Sequence, residues 1–106
     1  MVKITKVVKM TRAVAEERLG DVPQEKQFWC YDGRFLKNLP ELEVALEQMT
    51  EEVFRYHSNE TKCDFSNWVR DVIGDEKLAR DLQKSATKAQ AAKSVADRIA
   101  WLKSKI

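Results

Sequence analysis

Glycine is scarce in this sequence, and its placement excludes one common class of binding site. Only three glycines occur among 106 residues, and none belongs to a glycine-rich loop of the kind that holds phosphate groups. The motif Asp32-Gly33-Arg34 is typical of a tight turn instead. No sequence pattern typical of an oxyanion hole is present either. We therefore expect no enzyme and no cofactor.

Cysteine and histidine are also few. The two cysteines, Cys30 and Cys63, lie far apart and form no CxxC pair, which favours free thiols in a reducing compartment over a disulfide. His57 is the only histidine. His57, Glu60, Cys63 and Asp64 are all metal-ligand types, but a zinc site needs four ligands and commonly includes paired cysteines or a second histidine. We expect no metal site.

Long apolar runs are absent as well. No stretch is long enough to cross a bilayer, and no basic segment followed by an apolar one marks a secretory signal. We therefore expect a cytoplasmic protein with no membrane partner. A hydrophobic fraction of 43% beside 34% charged residues describes one globular domain over residues 1–106.

The net charge is only +2, so composition alone does not predict a polyanion binder. The charge is uneven, however. From Ser85 onward a single acid, Asp97, stands among five basic residues, which are Lys88, Lys93, Arg98, Lys103 and Lys105. These cations either stabilise the negative end of a helix or contact phosphates or an acidic partner.

Caps and apolar spacing predict a mainly α (α+β) fold, a compact bundle of about five short helices. The clearest helix starts at Asp64 and ends at Gly74, with one apolar face at i, i+3, i+4, i+7 and i+8. That face consists of Phe65, Trp68, Val69, Val72 and Ile73. Side chains suited to accept hydrogen bonds at helix starts are Thr11, Asn38, Thr50, Asp64, Asp75 and Thr87.

A small β-hairpin is predicted at residues 28–36. Asp32-Gly33 is suited to a two-residue type I′ turn, and its flanks are aromatic and apolar. In that register the opposed pairs are Tyr31 and Arg34, Cys30 and Phe35, and Trp29 and Leu36. Trp29, Tyr31 and Arg34 would then share a face as a cation–π ladder.

The first residues are ambiguous. Val2 and Ile4 alternate with lysines, as in an edge strand, while Ile4, Val7 and Val8 are also spaced for a helix. The β-branched content favours an N-terminal edge strand within residues 2–10. We therefore divide the domain into an N-terminal strand and helix segment, residues 1–26, and a core, residues 27–106.

Two stretches, Phe28 to Leu42 and Glu52 to Asp75, resemble a family of small domains of unknown function, found mainly in archaea and also in bacteria. The shared pattern is D-G-R-x-L-x-N-L-x-E-L, then F-x-Y-H-x-N-x-x-x-x-D-F-x-x-W-V-x-D-V-x-G-D. The resemblance extends from about Gln27 to the end, where the last helix is similar in A-A-x-x-V-x-x-R-I. It implies no activity, and the family often has Asn where this chain has Cys63. The shared residues are Asp32, Gly33, Arg34, Asn38, His57, Asn59, Asp64, Phe65, Trp68 and Asp71.

Three places are candidates for partner binding, and each has a purely structural alternative. The hairpin tip could instead lie on the helices, and the loop after His57 could satisfy groups left open at a helix end. Trp101, on the polar side of the last helix, could pack against the N-terminal segment. The candidate residues are Trp29, Tyr31 and Arg34 at the tip, His57, Asn59 and Glu60 in the loop, and Arg98, Trp101 and Lys105 on the helix.

These features favour a non-enzymatic module that binds another protein or itself. The alternative is a weak nucleic-acid-binding protein that uses the basic last helix around Trp101. A third hypothesis is a metal- or thiol-dependent site in which Cys63 and His57 act together. It requires the two side chains to lie within hydrogen-bond reach.

Overall fold

The structure is a computed structural model, and it describes residues 10–106. The predicted N-terminal strand over residues 2–10 falls almost wholly outside the described residues. A hairpin of β1 (Phe28–Trp29) and β2 (Phe35–Leu36) follows a 3-10 turn at Gln24–Lys26, and a π-helical turn, Val69–Ile73, continues α4. The α-helices are α1 (Arg12–Leu19), α2 (Leu39–Gln48), α3 (Glu51–His57), α4 (Asp64–Trp68), α5 (Glu76–Lys84) and α6 (Lys88–Lys103).

The mainly helical fold with a small β part is confirmed. Helix α2 lies along α6 at the centre, α1 packs on α6 as well, and α4 packs on α5. Within residues 10–106, no helix is long and apolar enough to cross a membrane.

Most predicted helix starts are confirmed by their capping hydrogen bonds. In five helices the capping side chain accepts the N–H of the residue three positions later. At α6 the Gln90 side chain also bonds back to the Thr87 N–H, which completes a capping box. The five caps are Thr11, Asn38, Thr50, Asp75 and Thr87.

The predicted cap at Asp64 is wrong. Asp64 is the first residue of α4, and Cys63 precedes it without a side-chain capping bond. The Asp64 carboxylate is unavailable for capping because it accepts hydrogen bonds from His57 and Lys62, each over 3.0 Å.

Gly74 ends the α4 segment, as predicted, in the left-handed region at φ 86°. The last turn before it is wider than the regular helix that the spacing predicts. The N–H groups of Gly74 and Asp75 both donate to the Val69 carbonyl, over 2.8 and 3.1 Å. Asp75, which follows this turn, is therefore buried at the start of α5.

The core lies between α2, α6 and the hairpin. Leu39, Leu42 and Leu46 of α2 are fully buried, and each contributes about 1.5–3 kcal/mol through burial of its side chain. An aromatic cluster closes the core under the hairpin and consists of Phe28, Phe54, Phe65 and Trp68. The Trp68 indole N–H donates to the Lys26 carbonyl over 2.8 Å, which fixes the chain where it enters β1.

The hairpin forms at the predicted place with a different turn. Its strands pair Phe28 with Leu36 and Trp29 with Phe35, one residue away from the predicted register. The Cys30 N–H donates to the Arg34 carbonyl over 2.8 Å, which leaves a three-residue loop. Within residues 10–106, positive φ angles occur only at glycine. A type I′ turn needs Asp32 in that region as well, so the chain adopts the longer loop with a left-handed glycine at its end.

The register decides which side chains reach solvent. Residues directly opposite each other in an antiparallel pair share a face, and a shift of one residue exchanges the faces. Phe28 and Leu36 therefore face the core, while Trp29 and Phe35 face outward.

Candidate functional site

His57 connects the hairpin to the helices and is buried at the end of α3. The backbone N–H of Tyr31 donates to its Nε2 over 2.9 Å, and its Nδ1 lies 3.0 Å from the Asp64 carboxylate. Because a donor faces Nε2, that nitrogen carries the lone pair and the proton sits on Nδ1. Both ring nitrogens of a neutral imidazole are thus in use.

The third hypothesis requires contact between Cys63 and His57, and within residues 10–106 these two side chains form no hydrogen bond with each other. The His57 ring lies 5.0 Å from Phe28 and 5.4 Å from Phe65, between ring centroids. The Cys63 sulfur contacts the Ser58 hydroxyl, at 3.7 Å, and the Leu82 carbonyl, at 3.8 Å. Within residues 10–106 no group of three or more ligating side chains could hold a metal ion.

The other two predicted loop residues differ in role. Asn59 closes the loop, because its amide donates to the Arg55 carbonyl over 2.9 Å and its oxygen accepts the Thr61 N–H over 3.0 Å. Glu60 is exposed and makes no hydrogen bond or ion pair with the part of the chain that the structure describes. The loop connects α3 to α4 and is held by the hydrogen bonds of Asn59, and Glu60 lies on its surface.

Four large aromatic side chains form one exposed surface, which we call the hairpin aromatic patch: Trp29, Tyr31, Phe35 and Tyr56. They are 42 to 62% exposed. Tyr31 and Tyr56 stack with centroids 4.1 Å apart and planes 9° apart. The Trp29 ring stands nearly perpendicular to both, at 81° and 77°. Two of the three predicted tip residues therefore belong to this surface.

Phe35 and Tyr56 were not predicted as site residues. The assumed register placed Phe35 opposite the buried Cys30, so the outward direction of Phe35 was missed. Tyr56 belongs to the patch through a contact between α3 and the hairpin, which no local pattern reveals. One sequence feature did indicate that Tyr56 is exposed. It lies four residues after Glu52, so the two side chains share the outer side of α3.

Arg34 does not join the patch, so the predicted cation–π ladder is wrong. Its guanidinium pairs with Asp32 over 3.0 Å and donates to Gln48 over 2.9 Å. The observed register sets Arg34 opposite Cys30, on the face away from Trp29. A different cation takes its place, because the Lys62 ammonium lies 4.7 Å from the Tyr56 ring centroid.

The hairpin tip also shifts two ionisation equilibria. Burial raises the pKa of the Cys30 thiol. Partial burial opposes ionisation of Asp32, but hydrogen bonds from Cys30 and Arg34 and the Arg34 charge outweigh it and lower the pKa of Asp32. Cys30 is therefore held as a neutral thiol beside an ionised Asp32.

A shallow cleft extends the patch beyond Phe35. It has a volume of about 470 Å³, and its apolar walls are Phe35, Leu36, Pro40 and Val44. Val44 is exposed on α2. The apolar surface thus continues from the hairpin onto the outer side of α2.

The end of α6 carries the third predicted group. Trp101 is 39% exposed, with the Arg98 guanidinium 4.3 Å and the Lys105 ammonium 5.0 Å from its ring centroid. The Arg98 Nε also donates to the buried Asp75 carboxylate over 2.7 Å, and Arg18 approaches the same oxygen at 3.7 Å. Residues 10–26 of the N-terminal segment are described, and α1 within them packs on α6. Any packing of Trp101 against residues 1–9 concerns residues outside the described range.

A larger cleft of about 960 Å³ opens beside Trp101, and Met10, the first described residue, forms part of its wall. Its charges balance, because four basic and four acidic side chains contribute to its wall. They are Arg18, Lys77, Arg80 and Arg98 beside Asp75, Glu76, Asp81 and Asp97. Balanced charges give this cleft no net attraction for phosphate.

No protein-family model, curated protein or solved structure matches this chain. No catalytic family is therefore indicated, and the resemblance to the small-domain family stays a prediction.

The patch offers flat rings and hydrogen-bond donors to a partner. The Trp29 indole N–H and the Tyr31 and Tyr56 hydroxyls form no hydrogen bond with residues 10–106. The patch contains no thiol, amine or carboxylate side chain, and His57 behind it is buried and bonded at both ring nitrogens. Its chemistry is suited to recognition.

Proposed function

We propose that this chain is a non-enzymatic protein-interaction module that binds its partner through the hairpin aromatic patch. One observation carries the proposal, namely that four large aromatic side chains stay 42 to 62% exposed on a single face. Tryptophan and tyrosine are the residues most enriched at the energetic centres of protein interfaces. A contiguous apolar surface of this kind marks an interaction site on an otherwise polar domain.

The patch is ordered before any partner binds, which supports the proposal. The Tyr31 backbone is tied to His57, Trp29 lies in a paired strand, and Tyr56 is stacked on Tyr31. Side chains that are already fixed lose little conformational entropy on binding. A rigid aromatic surface is therefore an efficient binding surface.

The proposal is tested by capture from a native lysate with the full chain as bait. We expect a partner to be captured by the wild type and lost with Trp29→Ala. Trp101→Ala is the matched control, because it removes the same residue type at similar exposure away from the patch. Circular dichroism checks that both variants fold.

Self-association through the same patch is tested by sedimentation velocity over a range of concentrations. A dimer that Trp29→Ala abolishes identifies the partner as a second copy. The proposal fails if the wild type captures nothing and also sediments as a monomer at every concentration. It fails as well if both tryptophan variants lose the partner equally, because the patch is then not the binding surface.

The alternative function, weak nucleic-acid binding by α6, has one favourable observation, the Trp101 ring beside Lys105 at the helix end. Two of its predicted cations are already paired. Arg98 bonds to the buried Asp75, and Lys93 bonds to Asp97 over 2.7 Å. A salt titration decides, because phosphate contacts make log affinity fall with log salt. A flat response removes this alternative.

A further inference from the structure

The chemistry of the hairpin aromatic patch also indicates which kind of partner it takes. We propose that the patch binds a short, extended, proline-rich peptide in the polyproline II conformation. This inference rests on the proposed function, since it names the partner of the same surface. Area, hydrogen-bonding groups and ring geometry support it separately.

The exposed area fits a peptide better than a folded domain. Aromatic side chains present about 150–250 Å² each, so four of them at roughly half exposure offer about 300–500 Å². A stable interface between two folded proteins takes about 800 Å² from each partner. The patch supplies about half of that, which is the scale of a few extended residues.

The hydrogen-bonding groups of the patch complement a peptide that is rich in acceptors. Trp29 contributes an indole N–H, and Tyr31 and Tyr56 contribute hydroxyls, none of which bonds to residues 10–106. A polyproline II segment has no internal hydrogen bonds and exposes its carbonyls, while its prolines lack N–H groups. Free donors on the protein thus meet free acceptors on the ligand.

The rings form a corner that suits a proline ring. The Trp29 plane stands at 81° to the Tyr31 plane, with centroids 6.2 Å apart. A proline side chain can lie against an aromatic face, as it does in the aromatic grooves of known polyproline readers. The cleft beside Phe35 has Pro40 and Val44 among its apolar walls and polar side chains at its remaining walls, and it provides a second binding position for a proline ring. A polyproline II helix repeats every three residues, or about 9 Å, so two prolines three positions apart can contact the Trp29–Tyr31 corner and the cleft at the same time.

A methylated ammonium group fits the patch less well. The Lys62 ammonium already lies over the Tyr56 ring at 4.7 Å, and Tyr31 covers Tyr56 at 4.1 Å. The Tyr56 ring is therefore already in contact with a cation and with a second ring, and the Lys62 ammonium is itself paired with Asp64, so an added cation would have to displace an existing contact. A proline ring at Trp29 and Tyr31 leaves the contacts of Lys62 unchanged.

The experiment titrates the ¹⁵N-labelled full chain with a synthetic oligoproline and with a glycine–serine peptide of equal length. We expect saturable shifts from the oligoproline at Trp29, Tyr31, Phe35 and Tyr56, and none from the glycine–serine peptide. The Trp29 indole signal is assigned with Trp29→Phe. Trp29→Ala should weaken binding by about tenfold or more, as expected for a central aromatic contact.

Hydroxyl removal tests the hydrogen-bonding step separately. Tyr31→Phe and Tyr56→Phe keep the rings, and we expect each to weaken binding about threefold to tenfold, the scale of one hydrogen bond. Trp101→Ala should leave the oligoproline affinity unchanged.

Three results would overturn the inference. They are shifts centred away from the patch, an equal response to the glycine–serine peptide, and no response to millimolar oligoproline. If the oligoproline fails while a lysate partner is still captured in a Trp29-dependent way, the peptide class is wrong and the proposed function stands. If a Trp29-dependent dimer appears instead, the occupant is a second copy, and the peptide inference is rejected.

Discussion

The backbone N–H of Tyr31 donates to the buried Nε2 of His57 over 2.9 Å, although 26 positions separate the two residues. This bond joins the hairpin tip to the end of α3. It brings the Tyr31 ring over Tyr56, with centroids 4.1 Å apart. The only histidine of the chain therefore has a structural role, and the aromatic patch depends on it.

The His57 arrangement predicts a neutral imidazole with its proton on Nδ1. Two-bond ¹H–¹⁵N correlation spectra at neutral pH should show this tautomer. His57→Phe keeps a buried ring but leaves the Tyr31 N–H without an acceptor, so we expect a loss of about 1–3 kcal/mol in the free energy of unfolding. His57→Gln, whose amide oxygen can reach the Tyr31 N–H, should lose less. A proton found on Nε2 would contradict the assignment.

A second prediction concerns the buried carboxylate of Asp75. It caps α5 through the Leu78 N–H and accepts from Arg98, and Arg18 lies 3.7 Å away. Asp75→Asn keeps a capping oxygen but leaves the arginines without their counter-charge, so we expect destabilisation of about 3–5 kcal/mol in urea unfolding.

The matched control makes the same change at an exposed pair. Asp97→Asn breaks the ion pair with Lys93 on the surface of α6, and exposed pairs contribute about 0–1 kcal/mol. Equal effects of Asp75→Asn and Asp97→Asn would mean that the buried pair is not formed.

Local features of the fold could be predicted from the sequence, because their geometry involves only neighbouring residues. A cap such as Thr50 bonds three positions ahead, and the spacing of Leu39, Leu42 and Leu46 defines one helix face. The hairpin position followed in the same way from Gly33. Three of the four patch residues lie in that hairpin, so the region of the candidate site could be predicted from the sequence.

Long-range contacts could not be predicted in the same way. Asp64 suits a helix cap, but its carboxylate bonds instead to the His57 ring at the end of the preceding helix, a contact that depends on how α3 and α4 meet. The sequence places Arg98 among the cations of a basic helix, but its guanidinium pairs with the buried Asp75 carboxylate. Tyr56 joined the patch for the same reason. Each of these assignments depends on which helices meet in space.

A third prediction follows from the raised pKa of Cys30. Its thiol is fully buried, so alkylation of the native protein should proceed much more slowly at Cys30 than at the partly exposed Cys63. Peptide mass spectrometry after timed labelling measures both rates. Rapid labelling of native Cys30 would show that the hairpin opens readily.

The same raised pKa gives stability a definite pH dependence. Because the folded state favours the protonated thiol, the contribution of Cys30 is complete below the ordinary thiol pKa and is lost as pH rises through the raised value. The free energy of unfolding should therefore decline in the alkaline range. Cys30→Ala should remove this part of the decline, and Cys63→Ala serves as the comparison.

A fourth prediction concerns Gly33, whose φ of 98° lies in the region that L-residues disfavour. A Cβ added there meets nothing within 4 Å, so any penalty for Gly33→Ala comes from the backbone and not from a clash. We expect a loss of about 1–2 kcal/mol in the free energy of unfolding. Gly33→Asn should lose less, because asparagine tolerates the left-handed region better.

Gly33 is left-handed in the observed loop and would also be left-handed in the two-residue turn predicted from sequence, so a change at Asp32 is needed to distinguish the two registers. A type I′ turn requires left-handed geometry at Asp32 too, so Asp32→Gly would then relieve strain and stabilise the hairpin. In the observed three-residue loop Asp32 is not left-handed and its carboxylate binds Arg34. Asp32→Gly should therefore destabilise the hairpin, by loss of the ion pair and by added backbone freedom. Since only the observed register turns Trp29 and Phe35 outward together, stabilisation by Asp32→Gly would remove the structural basis of the aromatic patch.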